Sequence, residues 1–156
     1  MITTETAPMT PAMTPSMTMP SRVQLALNVS NLDEAIDFYG RLFGAEPHKR
    51  RPGYANFALE SPPLKLVLIE NPNAQGTLNH LGVEVAGVEA VAEAKARFDA
   101  AHLESRDEDD VVCCFARQDK VWVTDPDGAS WEVYTITDDN PSAKDLLQDE
   151  AACCAS

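Results

Sequence analysis

From Val23 to Val29 apolar and polar positions alternate. Leu25, Leu27 and Val29 share one face of an extended strand, and Gln24, Ala26 and Asn28 share the other. The period then lengthens. Asn31 with Glu34 three residues on reads as a helix start, with Asn31 as the N-cap. Ala35, Ile36, Tyr39, Leu42 and Phe43 follow at helical spacing, and Gly44 suits the position past the helix end. Strands are predicted near residues 46–50, in YANFALE, and in LKLVLIE after Pro62-Pro63.

The second half repeats this order. NHLGVEV, residues 79–85, reads as a strand with His80, Gly82 and Glu84 opposite Leu81, Val83 and Val85. A helix is predicted over residues 88–101, with Val88, Val91, the stem of Lys95, and Phe98 along one stripe. Strands follow near VVCCFA, KVWVTDP and WEVYTIT, and Asp125-Pro126-Asp127-Gly128 forms the turn between the last two. Each half is therefore a βαβββ unit, spanning about residues 21–75 and 77–137. A sheet covered by its helix on one face leaves the other free to curl. The expected fold class is α+β: two tandem βαβββ modules forming a cup-shaped, partly open mixed β-sheet barrel.

The 156 residues suffice for one such domain with tails. Residues 1–20, rich in Met, Thr and Pro, have neither the basic start nor the apolar core of a secretory signal and are expected to be disordered. Residues 138–156 form a polar, acidic C-terminal tail ending in Cys153-Cys154-Ala-Ser. No apolar run approaches the roughly 18 residues of a membrane span. The net charge of −13 disfavours nucleic acid and anionic membranes as partners. The four cysteines fall in two adjacent pairs, which is not a disulfide framework, and a cytoplasmic location with free thiols is expected.

Superposing the halves puts Gln24 on His80 and Lys65 near Glu132. Gln24, His80 and Glu132 then converge as one amide oxygen, one imidazole and one carboxylate. That three-ligand facial set leaves positions open on an octahedral metal and suits Fe(II). Taken singly, a strand histidine reads as structural, a strand glutamate as solvent-facing, and glutamine as a weak ligand. Only their joint placement gives them a metal role. Lys65, a cation, cannot ligate, and His48 and His102 read as surface residues.

The segments VQLALNVSNLDEAIDFYGRLFG, LNHLGVEV and TDPDGASWEVY resemble the vicinal oxygen chelate superfamily of glyoxalase I, extradiol dioxygenases and bleomycin and fosfomycin resistance proteins. The resemblance covers roughly residues 21–137. Within it, RPGYANFALESPPLKLVLIENP, GTLNHLGVEV and CCFARQDKVWVTDPDG resemble the organoarsenical carbon–arsenic lyases and the cadmium-induced proteins. The resemblance implies a non-haem iron enzyme of arsenic detoxification. Fe(II) would be held by Gln24, His80 and Glu132, with O2 as co-substrate. Cys113 and Cys114 would clamp a trivalent organoarsenical, methylarsenite or an aromatic arsenical, which is converted to arsenite. The N-terminal extension departs from the family pattern.

The chemistry of the thiols fits. Monosubstituted As(III) has two exchangeable positions and is thiophilic, and a second thiolate on the adjacent residue binds intramolecularly. The alternatives are small strand residues for the cysteine pair, and ordinary core for Tyr54, Phe115, Trp122 and Tyr134 in place of an aromatic pocket wall. Arg117 and Lys120 read as accessory groups for an anion or as solvated charges. Cys153 and Cys154 read as a metalloid-gathering dithiol or as irrelevant to turnover. Two competing functions are thiol-based sequestration of cadmium or arsenic without catalysis, and a glyoxalase-like isomerase using Zn or Ni, for which the site is one ligand short. Both modules lie in one chain, so a monomer or homodimer is expected.

Overall fold

The computed structural model describes residues 21–146. The first module contains β1 (Arg22–Val29), α1 (Leu32–Phe43), β2 (Lys49–Arg51), β3 (Tyr54–Glu60) and β4 (Pro63–Glu70). The second contains β5 (Leu78–Glu84), α2 (Val88–Ala100), β6 (Ser105–Cys113), β7 (Ala116–Thr124) and β8 (Ser130–Asp138), followed by a short α3 (Ala143–Leu146). Each is βαβββ, as the periodicity predicts. The expectations for residues 1–20 and for Cys153 and Cys154 lie outside the described residues.

The strands form one mixed sheet in the order β2-β3-β4-β1-β5-β8-β7-β6. β1 is antiparallel to β5, while β1–β4 and β5–β8 are parallel. The modules therefore join through their opening strands, and the sheet curls into the expected cup.

Local sequence explains the helix ends. Asn31 Oδ1 accepts from the Glu34 amide at 3.1 Å, and Gly44 takes the left-handed conformation, φ 62°, that ends α1. The apolar positions of β1, β3 and β4 pack on α1: Phe57, Leu66, Leu68 and Leu32 are buried together. On the second module Val91, Ala94 and Phe98 of α2 pack with Val121. This corrects the predicted α2 stripe. Ala94 is buried, Val88 is 42% exposed, and Lys95 pairs with Asp99 across one helical turn at 2.7 Å. The helix-covered face is apolar, and the alternate positions line the inner face of the cup, where Ala26, Tyr54, Val67 and Ile69 form a separate buried cluster under Cys114 and Phe115.

Two further expectations change. The predicted strand VVCCFA is the end of a longer, acidic β6 and the start of β7. Cys113 pairs with Ala116, so Cys114 and Phe115 form a two-residue turn. The superposition of halves also shifts. Lys65 pairs with Gln24, and Glu132 pairs with Gly82. A match of Lys65 to Glu132 therefore puts Gln24 on Gly82, two residues from His80 on the same face.

Candidate functional site

Gln24 of β1 pairs with Gly82 of β5, and Gly82 pairs with Glu132 of β8. These neighbouring strands bring the predicted donors together because Gly82 has no side chain. A Cβ there would lie 3.0 Å from Glu132 Cγ and 3.4 Å from Gln24 Cβ. Gln24, His80 and Glu132 are each at most 9% exposed. Gln24 Nε2 donates to Glu132 Oε1 at 2.6 Å and stands 3.1 Å from His80 Nε2, and His80 Nε2 is 3.3 Å from Glu132 Oε1.

Residues that the sequence reading passed over orient this cluster. Asn79 Nδ2 donates to Asn28 Oδ1 at 3.0 Å, which presents Asn79 Oδ1 to His80 Nδ1 at 2.6 Å. His80 Nδ1–H is then the donor to Asn79, and Nε2 faces Gln24 and Glu132. In the neutral ring, Nε2 carries the lone pair that a metal takes. On the other side, the Tyr134 hydroxyl donates to Gln24 Oε1 at 2.5 Å and lies 3.2 Å from Glu84 Oε2. Glu84 also meets Arg22 at 3.1 Å and Lys65 at 3.5 Å. Lys65 is thereby paired, and burial pushes its ammonium below the usual lysine range while Glu84 opposes the shift. Burial, with Glu84 and Glu132 adding to it, raises Tyr134 far above the ordinary phenol range, so it acts only as a neutral hydroxyl. The sequence signal available for these groups was the polar alternation within apolar strands at Asn28, Asn79 and Glu84.

Glu132 is the most constrained group. Burial opposes its charge, but the neighbouring His80 and the charge of Lys120 outweigh this and hold the carboxyl below the usual range. Lys120 Nζ forms an ion pair with Glu132 Oε2 at 3.0 Å, and Oε2 has no further hydrogen-bond partner among the described residues. A buried carboxylate with one oxygen ion-paired, beside an imidazole and an amide, is a donor set that a divalent cation can take. The donor set therefore fits a metal. Among the described residues no three of His, Cys, Asp and Glu converge, and the third donor here is an amide. Gln24 would offer its oxygen to a metal only with its amide rotated; Tyr134 could then accept from the amide nitrogen and donate to Glu84.

Cys113 and Cys114 line the same small cavity, of about 20 Å³, as these three residues, with Tyr54, Trp122 and Lys120. Their sulfurs stand 3.5 Å apart. Cys113 is disulfide-bonded in this structure, which corrects the expectation of free thiols and makes a reductant a condition for using the pair. Cys114 and Phe115 take φ values of 51° and 65°, the left-handed pair of a tight hairpin turn. Lys49 holds that turn across the mouth of the cup. Its Nζ donates to Phe115 O at 3.1 Å and to Asp139 O and Oδ1 at 2.6 Å each. Gln118 Nε2 donates to Cys113 O at 2.9 Å, and the Phe115 ring lies 5.3 Å from that of Tyr54.

The other predicted residues separate. Lys120 is buried at the site, whereas Arg117 points to Asp110 and Asp145. His102 is exposed, and His48 lies 3.5 Å from Asp139. No helix of the described residues is long and apolar enough to cross a membrane.

This chain is similar to several known proteins. The "Cadmium-induced protein CadI" of Mycobacterium tuberculosis is 56% identical over 140 residues, covering 86% of this chain and 92% of that protein. The "Trivalent organoarsenical cleaving enzyme" of Thermomonospora curvata is 51% identical over 135 residues, covering 86% and 88%. Among solved structures, the 2,3-dioxygenase LapB of Pseudomonas sp. KL28 has a TM-score of 0.60 at 19% identity, covering 76% of this chain and 42% of that one, a likeness of fold. The model of the glyoxalase/bleomycin resistance protein/dioxygenase superfamily matches residues 21–133, and this chain belongs to that superfamily.

Proposed function

We propose that this protein is a non-haem Fe(II)- and O2-dependent carbon–arsenic lyase that converts trivalent organoarsenicals to arsenite. The observation that carries the reading is the shared cavity. A buried Gln24, His80 and Glu132 cluster and the adjacent Cys113 and Cys114 line one space. A protein that only stored thiophilic metal would need the sulfurs but not the cluster. The names of the Thermomonospora relative and of a second, 38% identical one from Bacillus support the substrate class.

Gln24, His80 and Glu132 would hold the iron, and Lys120 balances the buried carboxylate. Bound there, Fe(II) supplies O2 activation. The chain's own part is capture and placement. A trivalent arsenical R–As(OH)2 and two cysteine thiols give R–As(S–Cys)2 and two waters. The carbon substituent stays on arsenic, and the adjacency of the sulfurs makes the second bond intramolecular. The turn held by Lys49 then presents the carbon–arsenic bond to the cluster, where proximity lowers the barrier. Arsenic is trivalent before and after, so the carbon is oxidised. For methylarsenite, CH3As(OH)2 and O2 balance as formaldehyde and As(OH)3. One chain supplies every group named, and a cytoplasmic enzyme acting as a monomer or homodimer fits the need for reduced thiols.

The name of the 56% identical relative favours a second reading, in which the thiols sequester Cd(II) or As(III) without catalysis. Arsenic speciation separates the two. Reduced protein loaded with Fe(II) is mixed with methylarsenite in air and under argon, alongside His80→Ala. Arsenite formed only in air, and only by the protein with His80, is the expected result. Methylarsenite that remains intact but protein-bound in every sample would establish sequestration.

A further inference from the structure

Gln24, His80 and Glu132 satisfy one another here in an arrangement that a metal cannot share. Gln24 Nε2 donates to Glu132 Oε1 at 2.6 Å and stands 3.1 Å from His80 Nε2, while Gln24 Oε1 accepts from the Tyr134 hydroxyl. The amide nitrogen therefore faces the other two groups, and an amide NH2 donates hydrogen bonds and does not ligate a cation. Turning Oε1 to that side turns Nε2 towards Tyr134. The phenol oxygen must then accept where it had donated, and its own proton needs another acceptor.

That acceptor is in place. Glu84 Oε2 lies 3.2 Å from the Tyr134 oxygen. Glu84 pairs with Tyr134 in the parallel register of β5 and β8, so the acceptor is carried by the strands that also carry His80 and Glu132. Arg22 at 3.1 Å and Lys65 at 3.5 Å fix the Glu84 carboxylate. Tyr134 is buried, and burial keeps its phenol protonated. A hydroxyl gives one proton and can accept through its lone pairs, so it suits both orientations of the amide, provided that Glu84 takes the proton in one of them.

We propose that Glu84 is a positioning residue for the metal centre: by accepting the Tyr134 hydroxyl proton in a hydrogen bond, it lets the Gln24 amide turn its oxygen to a divalent cation. Glu84 thereby sets the metal affinity without being a ligand, and no group changes its protonation state. The proposal rests on the reading of Gln24, His80 and Glu132 as the metal donors. Without the Glu84 oxygen, the rotated amide would leave a buried hydroxyl proton unpaired, which opposes metal uptake.

The test is metal binding, so it stands whether or not cleavage occurs. Mn(II) is the probe, because it favours carboxylate and carbonyl oxygens over thiolates. Its uptake by the full chain is followed by loss of the free-ion electron paramagnetic resonance signal, with excess Mg(II) present to occupy surface carboxylates. Glu84→Asp keeps a carboxylate for Arg22 and Lys65 but draws it back from Tyr134 by one methylene. Its Mn(II) affinity is expected to fall about ten-fold, the worth of one buried hydrogen bond. In a Tyr134→Phe background the same substitution should change the affinity by less than about two-fold, because the hydroxyl through which Glu84 acts is gone. Raman difference spectra, wild type minus Tyr134→Phe, should show the tyrosine Fermi doublet moving from that of a donor to that of a donor and acceptor as Mn(II) is added. Unchanged affinity in Glu84→Asp, an equal loss in the Tyr134→Phe background, or a doublet that the metal does not move would each overturn the proposal and leave the metal site standing. A wild-type chain that takes up no Mn(II) would instead remove the metal centre on which the proposal rests.

Discussion

The two modules close their outer hairpins with turns of opposite character. Between β2 and β3, Arg51 pairs with Tyr54, and the turn is Pro52–Gly53 with Gly53 at φ 70°. Proline sets the first position and glycine accepts the left-handed second, so local sequence is enough. Between β6 and β7 the equivalent turn is Cys114–Phe115, with both residues left-handed. Neither favours that conformation, which costs about 1–2 kcal/mol per residue. The contacts of Lys49 and Tyr54 described above must offset it. One module uses a turn its own sequence stabilises. The other holds its sulfur-bearing turn in a conformation that the rest of the fold imposes, which is where function concentrates strain.

The sheet interior carries a second asymmetry. In the first module Gln24 faces Lys65; in the second, Gly82 faces Glu132. A cation committed to Glu84 occupies one side, so the carboxylate that meets Gln24 and His80 comes from the other. The duplicated frame thus yields a single, one-sided site.

The largest expected effect tests the sulfur-bearing turn. Cys114→Ser removes the intramolecular second bond and should weaken phenylarsenite binding to reduced protein by about 10²–10⁴-fold. A loss below ten-fold in the same titration would mean one sulfur does the binding. Next is the glycine that lets the strands of the second module carry the cluster. Gly82→Ala forces a methyl against Glu132 and should cost about 1–3 kcal/mol in urea unfolding, with weaker Co(II) binding by absorption spectroscopy. Retained stability and metal affinity would show that the strands separate freely there.

Smaller effects test the turns themselves. Gly53→Ala places a methyl-bearing residue at φ 70°, where the left-handed penalty exceeds the gain from a stiffer unfolded chain, so a loss of about 1 kcal/mol is expected by chemical denaturation. An unchanged midpoint would remove the contrast between the two turns. The mildest change concerns Asp139 at the mouth. Burial opposes its charge, but Lys49, aided by His48, holds its carboxyl below the ordinary range. Its stabilisation is therefore present above the unfolded pKa of about 3.9 and is lost as pH falls through the lower folded value. Asp139 is half exposed, so Asp139→Asn should cost less than about 1 kcal/mol at neutral pH. The difference in melting temperature from wild type should shrink below about pH 3.9; a gap constant down to acid pH would assign the effect to geometry rather than charge.

Much of this was legible along the chain. The alternation of Gln24, Ala26 and Asn28 with Leu25, Leu27 and Val29 encodes which side of β1 meets a helix, because successive strand side chains point to opposite faces whatever the neighbours are. The N-cap at Asn31, the turn at Asp125–Gly128 and the adjacency of Cys113 and Cys114 are equally local. What the chain did not show was register. Shifting β5 by two residues preserves every face assignment, so periodicity could not distinguish Gln24 opposite His80 from Gln24 opposite Gly82. Nor could it show that Lys49, within the exposed-looking run from His48 to Arg51, is buried against a carbonyl 66 residues away.

The amino-acid sequence by itself determined the order of elements, the polar lining of the sheet's inner face and the presence of adjacent sulfurs, since each depends on residues within a turn or two of one another. Tertiary structure alone decided which polar residues meet. It brought Glu132 to Gln24 across 108 positions, left Asn56 Oδ1 without a donor, and bent Cys114 and Phe115 into a left-handed turn. Those outcomes depend on strand register and on contacts across the mouth of the cup, and neither exists until the two modules have packed together.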